Sequence, residues 1–66
     1  MTRQEAEAWV GKEVDIRWLE DGPGGVKEAD AGGVVDSVDD EYIHLDWGWS
    51  VRIDAPGITV MPMPSP

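Results

Sequence analysis

A chain of 66 residues without a single cysteine has few ways to stabilise a fold. A domain of this size buries only about 60% of the surface that its unfolded chain exposes, so its stability is marginal. The missing cysteines exclude disulfides and thiolate metal sites, and a single histidine argues against structural zinc. Four tryptophans remain as the main source of buried area, since one aromatic side chain buries roughly 150–250 Å². We expect one domain packed around large side chains, with no metal and no cofactor.

The first residues carry the signature of a short helix. Thr2, followed three residues later by Glu5, forms a capping box. Apolar residues then share one helix face, and Gly11 is placed for a left-handed C-terminal cap. The sequence therefore predicts a helix over about residues 3–10, held against the rest of the protein by its tryptophan. The predicted buried face consists of Ala6, Trp9 and Val10.

The chain from about residue 12 to residue 61 predicts five short strands. KEVDIRWLEDG alternates between apolar and polar residues, as a strand with one buried face does. The turn residues 20–25 end it, and the second strand is predicted over residues 26–38. Gly32–Gly33 interrupts this segment and predicts a bulge or a sharp bend, which either bends one long strand or separates two. The third strand is predicted over YIHLDWGW, the fourth over residues 50–54 and the last over residues 58–61. Alternation predicts these inward-facing residues: Val14, Ile16, Trp18, Ile43, Leu45, Trp47, Trp49, Val51 and Ile53.

Short strands at close intervals predict a mainly β fold. We expect a small, five-stranded, strongly bent barrel with a short N-terminal helix. The single domain is predicted over residues 1–61. The proline-rich residues 62–66 are predicted to form a flexible tail, because proline cannot donate a ladder hydrogen bond.

The charge of the chain narrows the partners it can have. Five Lys and Arg face 14 Asp and Glu, which gives a formal charge of −9. Nucleic-acid binding needs a basic face that displaces counterions from phosphates, so nucleic acid is not the expected partner. No apolar run approaches the ~20 residues of a membrane span, and the N-terminus lacks a signal-peptide pattern. We expect a cytoplasmic protein that does not enter membranes, and its composition is typical of a GC-rich bacterial or phage genome.

The stretch EYIHLDWGWSVRID concentrates aromatic residues. Alternation predicts that the indoles of Trp47 and Trp49 both face the core, so that this stretch has a structural role. A bend at Gly48 supports an alternative, in which Trp47 and Trp49 join Tyr42 and Asp46 in an aromatic cage at the barrel mouth. Such a cage, with its carboxylate, is suited to a methylated lysine or another cation.

No residue pattern in the sequence indicates an enzyme. Catalysis needs a partnered base, a nucleophile and donors for the developing oxyanion. His44 is predicted on the outer face, and nothing in the sequence places Ser37 or Ser50 beside it. The acidic run over residues 39–41 lacks the spaced oxygen ligands of a calcium loop, so it is interpreted as a solvated turn.

Three parts of the chain together resemble the Sm-like/SH3-like group of small β-barrels. They are GKEVDIRWLEDG, the Gly33…Asp39 spacing and VRIDAPGITVM. The resemblance implies a barrel and, in the Sm-like branch, an oligomeric ring that binds uridine-rich RNA. The asparagine and the glycine of the family's RNA pocket are absent: Ile43 or His44 stands at the first position and Asp54 at the second.

Three hypotheses about function follow. The first is a non-enzymatic protein-interaction module, a monomer or small homo-oligomer that docks on a larger protein with a basic patch and modulates it. Nucleic-acid mimicry is a special case of it. The second is an Sm-like RNA-binding ring, and the third is the aromatic cage. The residues predicted to bind a protein are Glu20, Asp21, Asp39, Asp40, Glu41, Tyr42 and His44.

Overall fold

The protein is mainly β, with one short helix before five strands. A computed structural model describes residues 1–63. The strands form one antiparallel sheet in the order β4-β3-β2-β1-β5. In the described residues β4 and β5 are the two free edges, so the sheet is open and a closed barrel stays a prediction. The elements are α1 Arg3–Glu7, β1 Glu13–Gly22, β2 Gly25–Val38, β3 Tyr42–Leu45, β4 Ser50–Arg52 and β5 Thr59–Pro62.

The helix begins as the sequence predicts. The Thr2 hydroxyl accepts a hydrogen bond from the backbone N–H of Glu5, and the Thr2 N–H donates to the Glu5 carboxylate, both at 3.1 Å. This reciprocal capping box satisfies two donors that the helix itself leaves unpaired. Ala6 is fully buried and Trp9 packs against the core, but Val10 is 45% exposed, so the predicted buried face is only partly right.

The helix ends earlier than predicted, at Glu7 rather than near residue 10. The Gly11 N–H donates to the Val35 carbonyl at 2.8 Å, and the Val35 N–H donates to the Lys12 carbonyl at 3.1 Å. These bonds draw the chain into pairing with β2, so the helix cannot continue. Gly11 has a φ of +83°, the left-handed conformation expected of it, but the C-cap of the helix is Ala8. The prediction that Gly11 caps the helix is therefore wrong.

The hairpin between β1 and β2 is tighter than predicted. Gly22 pairs with Gly25, so only Pro23 and Gly24 form the turn. Gly24 has a φ of +94°, a conformation that glycine adopts without steric cost. Two residues are enough to reverse the chain, and both strands therefore run into the cluster that was predicted to end them.

The second strand is one long element that joins the two halves of the sheet. Its residues 25–34 pair with β1 in continuous register. From Val35 onward the strand pairs with β3, and the register shifts between Val35 and Ser37. The irregularity thus follows the glycine pair Gly32–Gly33 instead of falling on it.

The core confirms most of the predicted inward positions. Trp47 and Trp49 are the exceptions, because they are 57% and 47% exposed. β3 ends at Leu45, whose N–H donates to the Trp49 carbonyl at 2.8 Å across a turn. Side-chain alternation holds only while the chain stays extended, so the prediction that both indoles are buried is wrong. The buried core is Ala6, Val14, Ile16, Trp18, Val35, Ile43, Leu45, Val51 and Ile53.

The start of the predicted tail belongs to the sheet. Pro62 is the last residue of β5 and pairs with Val14, and the Met63 N–H donates to the Glu13 carbonyl at 3.0 Å. Residues 64–66 of the predicted tail lie outside the described residues. Among residues 1–63, no helix is long and apolar enough to cross a membrane.

Candidate functional site

Asp39 organises the turn between β2 and β3. Its carboxylate accepts the backbone N–H groups of Glu41 and Tyr42 at 2.8 and 2.7 Å, and it lies 2.7 Å from Nε2 of His44. The hydrogen bond from His44 and then the two backbone amides lower the pKa of Asp39 to about 2. Asp39 therefore holds this turn in shape and is not a free charge.

His44 also contacts Ser50, which the sequence did not place beside it. β3 pairs with β4 so that His44 faces Ser50, and Nδ1 of His44 lies 2.8 Å from the Ser50 hydroxyl. If Nε2–H of His44 donates a hydrogen bond to Asp39, then Nδ1 of His44 accepts a hydrogen bond from the Ser50 hydroxyl. The hydrogen-bonded side chains of Asp39, His44 and Ser50 thus connect the turn, β3 and β4 at the surface of the protein.

The predicted acidic site is divided between two places. Glu20 and Asp21 lie at the end of β1, whereas Asp40 and Glu41 lie in the turn after β2. Asp40 accepts a hydrogen bond from the Arg3 guanidinium at 2.7 Å, so part of its charge is compensated.

All three arginines of the chain contact its own carboxylates. Arg3 is 2.9 Å from Glu7 and 2.7 Å from Asp40, and the pKa of its guanidinium is raised by its hydrogen bonds to Asp40 and then Glu7. Arg17 and Arg52 are held in the same way. Their partners are Asp15 at 3.0 Å and Glu28 at 3.8 Å for Arg17, and Asp54 at 2.9 Å for Arg52.

Trp47 and Trp49 form an exposed stack on the turn between β3 and β4. Their ring centroids are 5.7 Å apart and their planes differ by 15°. The indole N–H of Trp47 donates to the Gly32 carbonyl at 2.8 Å. A Cβ on Gly33 would lie 2.8 Å from that same nitrogen. Trp47 therefore packs directly against the backbone of the glycine pair Gly32–Gly33, where a side chain would displace the indole.

The predicted cage residues are brought together only in part. Trp47 and Trp49 cover one face of each other, which leaves no space for a cation between them. Tyr42 packs instead against the Arg52 guanidinium, 5.5 Å from the ring centroid, and against the His44 ring at 6.0 Å. The two indoles thus act as a single surface with one outer face.

A groove of about 450 Å³ runs from Trp49 to Trp18 between β1, β4 and the loop before β5. We call it the Trp18–Trp49 groove. The Leu19 N–H donates to the Pro56 carbonyl at 2.8 Å, which holds the loop against β1. The Trp18 indole N–H reaches the rim and donates to the Glu20 carboxylate at 2.8 Å. The residues that line the groove include Trp18, Leu19, Glu20, Trp49, Asp54 and Pro56.

Sequence reasoning missed this groove because its walls come from three separate segments of the chain. The only signal was the position of Trp18 at the end of the buried row of β1, where a large ring extends to the limit of the core. The structure thus adds Trp18, Leu19 and Pro56 to the candidate residues, and it brings Glu20 and Trp49 to one site.

Comparison with known proteins identifies no relative: no family model, no curated protein and no solved structure matches the chain. Within residues 1–63, no group of three or more side chains is arranged to hold a metal ion. The candidate site is therefore defined by its geometry and charge alone.

Proposed function

We propose that this protein is a non-enzymatic interaction module, a small SH3-like or Sm-like barrel that docks on a basic region of a larger protein and modulates it. One observation carries the proposal. No charged side chain is buried among residues 1–63, and the arginines are all paired with carboxylates of the same chain, so the excess of negative charge that gives −9 lies on the surface. Such a surface attracts basic partners and repels phosphates.

The carboxylates are placed where a partner can reach them. Asp21 lies beside the two-residue hairpin turn, and Glu20 lies on the rim of the Trp18–Trp49 groove. Glu41 lies in the turn that Asp39 holds. Electrostatic complementarity of this kind increases association rates and makes them sensitive to salt.

The experiment is a selection of random peptides displayed on phage against the immobilised protein. Enriched peptides are expected to be rich in arginine and lysine and to dissociate as salt rises. The site variant neutralises three carboxylates together, Glu20→Gln, Asp21→Asn and Glu41→Gln, and is expected to bind the enriched peptides more weakly. Asp39 is left intact because its loss would change the turn.

A matched control variant has the same net charge as the site variant, but its three substitutions lie elsewhere on the sheet. Glu13→Gln, Asp30→Asn and Asp36→Asn also remove three exposed carboxylates. This control is expected to retain most of the affinity. Equal loss in both triple variants would mean that only net charge matters and would contradict the assignment of the site. A lack of basic peptides in the selection would contradict the function itself.

Two further measurements separate the alternatives. An Sm-like ring predicts a discrete oligomer by light scattering and binding of uridine-rich RNA at low salt, whereas the module predicts no RNA binding. Enzymatic use of Asp39–His44–Ser50 predicts covalent labelling of Ser50 by a fluorophosphonate and hydrolysis of p-nitrophenyl acetate. We expect neither, since all three side chains join neighbouring segments at the surface.

A further inference from the structure

We propose that the outer face of Trp49, together with the Trp18–Trp49 groove, binds an arginine side chain of the basic partner segment. This inference rests on the proposed function and names the chemistry by which one site is recognised. It predicts a preference for arginine over lysine that net charge alone does not give.

The first argument is that the rings are held in place without being buried. Trp47 is anchored by its hydrogen bond to Gly32 and seated over Gly33, and Trp49 stacks on Trp47. Ordering a large side chain costs entropy, which burial normally offsets, yet about half of the Trp49 surface stays exposed. Rigid aromatic side chains at the surface are typical binding anchors, because little further ordering is needed on association.

The second argument is the geometry of the stack. One face of Trp49 is covered by Trp47, so a ligand has access to the other face and the edges. A flat guanidinium stacks on a single aromatic face, whereas an ammonium is a compact charge that is better served by an enclosing cage. The stack therefore fits arginine better than methylated lysine.

The third argument is charge complementarity in the groove. Glu20 lies on its rim, where its carboxylate is oriented by the Trp18 indole N–H. Arg52 and Asp54, which also line the groove, neutralise each other. The remaining negative charge of Glu20 is available to the guanidinium that stacks on Trp49, and the apolar walls can cover the aliphatic part of the side chain. A volume of about 450 Å³ is enough to take one long side chain and its neighbours.

The test uses hexa-arginine and hexa-lysine as probes of equal charge, titrated at low salt by isothermal calorimetry. Wild type is expected to bind hexa-arginine more tightly. Trp49→Leu keeps apolar bulk without a π face, and it is expected to weaken hexa-arginine about 5- to 30-fold while changing hexa-lysine less than twofold. Trp49→Phe keeps a ring and is expected to fall between the two. Glu20→Gln, which changes no aromatic residue, is expected to weaken hexa-arginine as well.

The possible outcomes distinguish this inference from the function on which it rests. If both peptides bind wild type equally and Trp49→Leu changes neither, arginine recognition is wrong while docking on basic partners stands. If neither peptide binds, both proposals fail. If light scattering shows a dimer that Trp49→Leu dissociates, a second copy covers this face and the inference is overturned.

Discussion

Gly33→Ala tests whether the Trp47 indole packs against Gly33 as the structure shows. Gly33 has a φ of +155°, and a Cβ there would lie 2.8 Å from Nε1 and 2.9 Å from Cδ1 of Trp47. A side chain in so sparsely populated a backbone region costs about 1–3 kcal/mol. Displacing the indole also breaks its hydrogen bond to Gly32, which is worth about 1 kcal/mol. We therefore expect a loss of about 2–4 kcal/mol of unfolding free energy.

This loss is measurable because a chain of 66 residues is expected to have roughly 3–10 kcal/mol of stability in total. Urea unfolding is followed by far-UV circular dichroism, which reports the β-sheet and does not depend on the tryptophan fluorescence that the substitutions change. Gly22→Ala is the matched control: Gly22 has no positive φ, and its Cβ would meet only the Gly25 carbonyl oxygen at 4.0 Å. The control is expected to change stability by at most about 0.5 kcal/mol.

A double-mutant cycle separates the two parts of the cost. In a Trp47→Ala background the clash is gone, so Gly33→Ala is expected to cost only the backbone part, which leaves a coupling of about 1 kcal/mol. Two results would refute the reasoning. One is a Gly33→Ala cost no larger than that of Gly22→Ala, and the other is strict additivity with Trp47→Ala.

Three other predictions follow from the structure. Ile43→Ala, at a residue that is 1% exposed, is expected to cost about 2–5 kcal/mol in urea unfolding, whereas Val26→Ala, at a 62% exposed residue, should be near neutral; similar costs for both would contradict the assigned core. Asp39 has a pKa lowered from 3.8 to about 2, chiefly by His44, so its contribution to stability is present above pH 3.8 and is lost as the pH falls through 2. Asp39→Asn should reduce that acid loss in urea titrations between pH 5 and pH 2, and an unchanged pH profile would contradict the pairing. Thr2→Ala removes the helix cap and should lower stability by about 1 kcal/mol, which is about 4–8 °C in Tm; an unchanged Tm would contradict the stabilisation assigned to the cap.

Compensation of the arginines has a consequence for partner choice. Each guanidinium is held by a carboxylate of the same chain, so an acidic partner finds no uncompensated arginine in the structure. Most of these pairs are exposed, where ion pairs add little to stability. The proposed function uses this pairing in another way, because it predicts selectivity toward positively charged partners.

The features that could be predicted from the sequence are those determined by residues close together in the chain. The Thr2–Glu5 cap and the buried row of β1 follow from residues within a few positions of each other, and both are confirmed. The end of the helix could not be predicted in this way. It is decided by hydrogen bonds to Val35, which lies more than twenty residues away in the chain.

The two indoles of the WGW stretch show the same division. The sequence by itself determined that the chain is mainly β, that its core uses aliphatic rows closed by Trp18, and that its surface is acidic. Only the tertiary structure decided that the chain turns after Leu45, which moves Trp47 and Trp49 from the core to the surface. Alternation records which side of a strand a residue faces but not where the strand ends. A turn that closes through backbone hydrogen bonds between β3 and β4, and an indole seated on distant glycines, are properties of the folded chain alone.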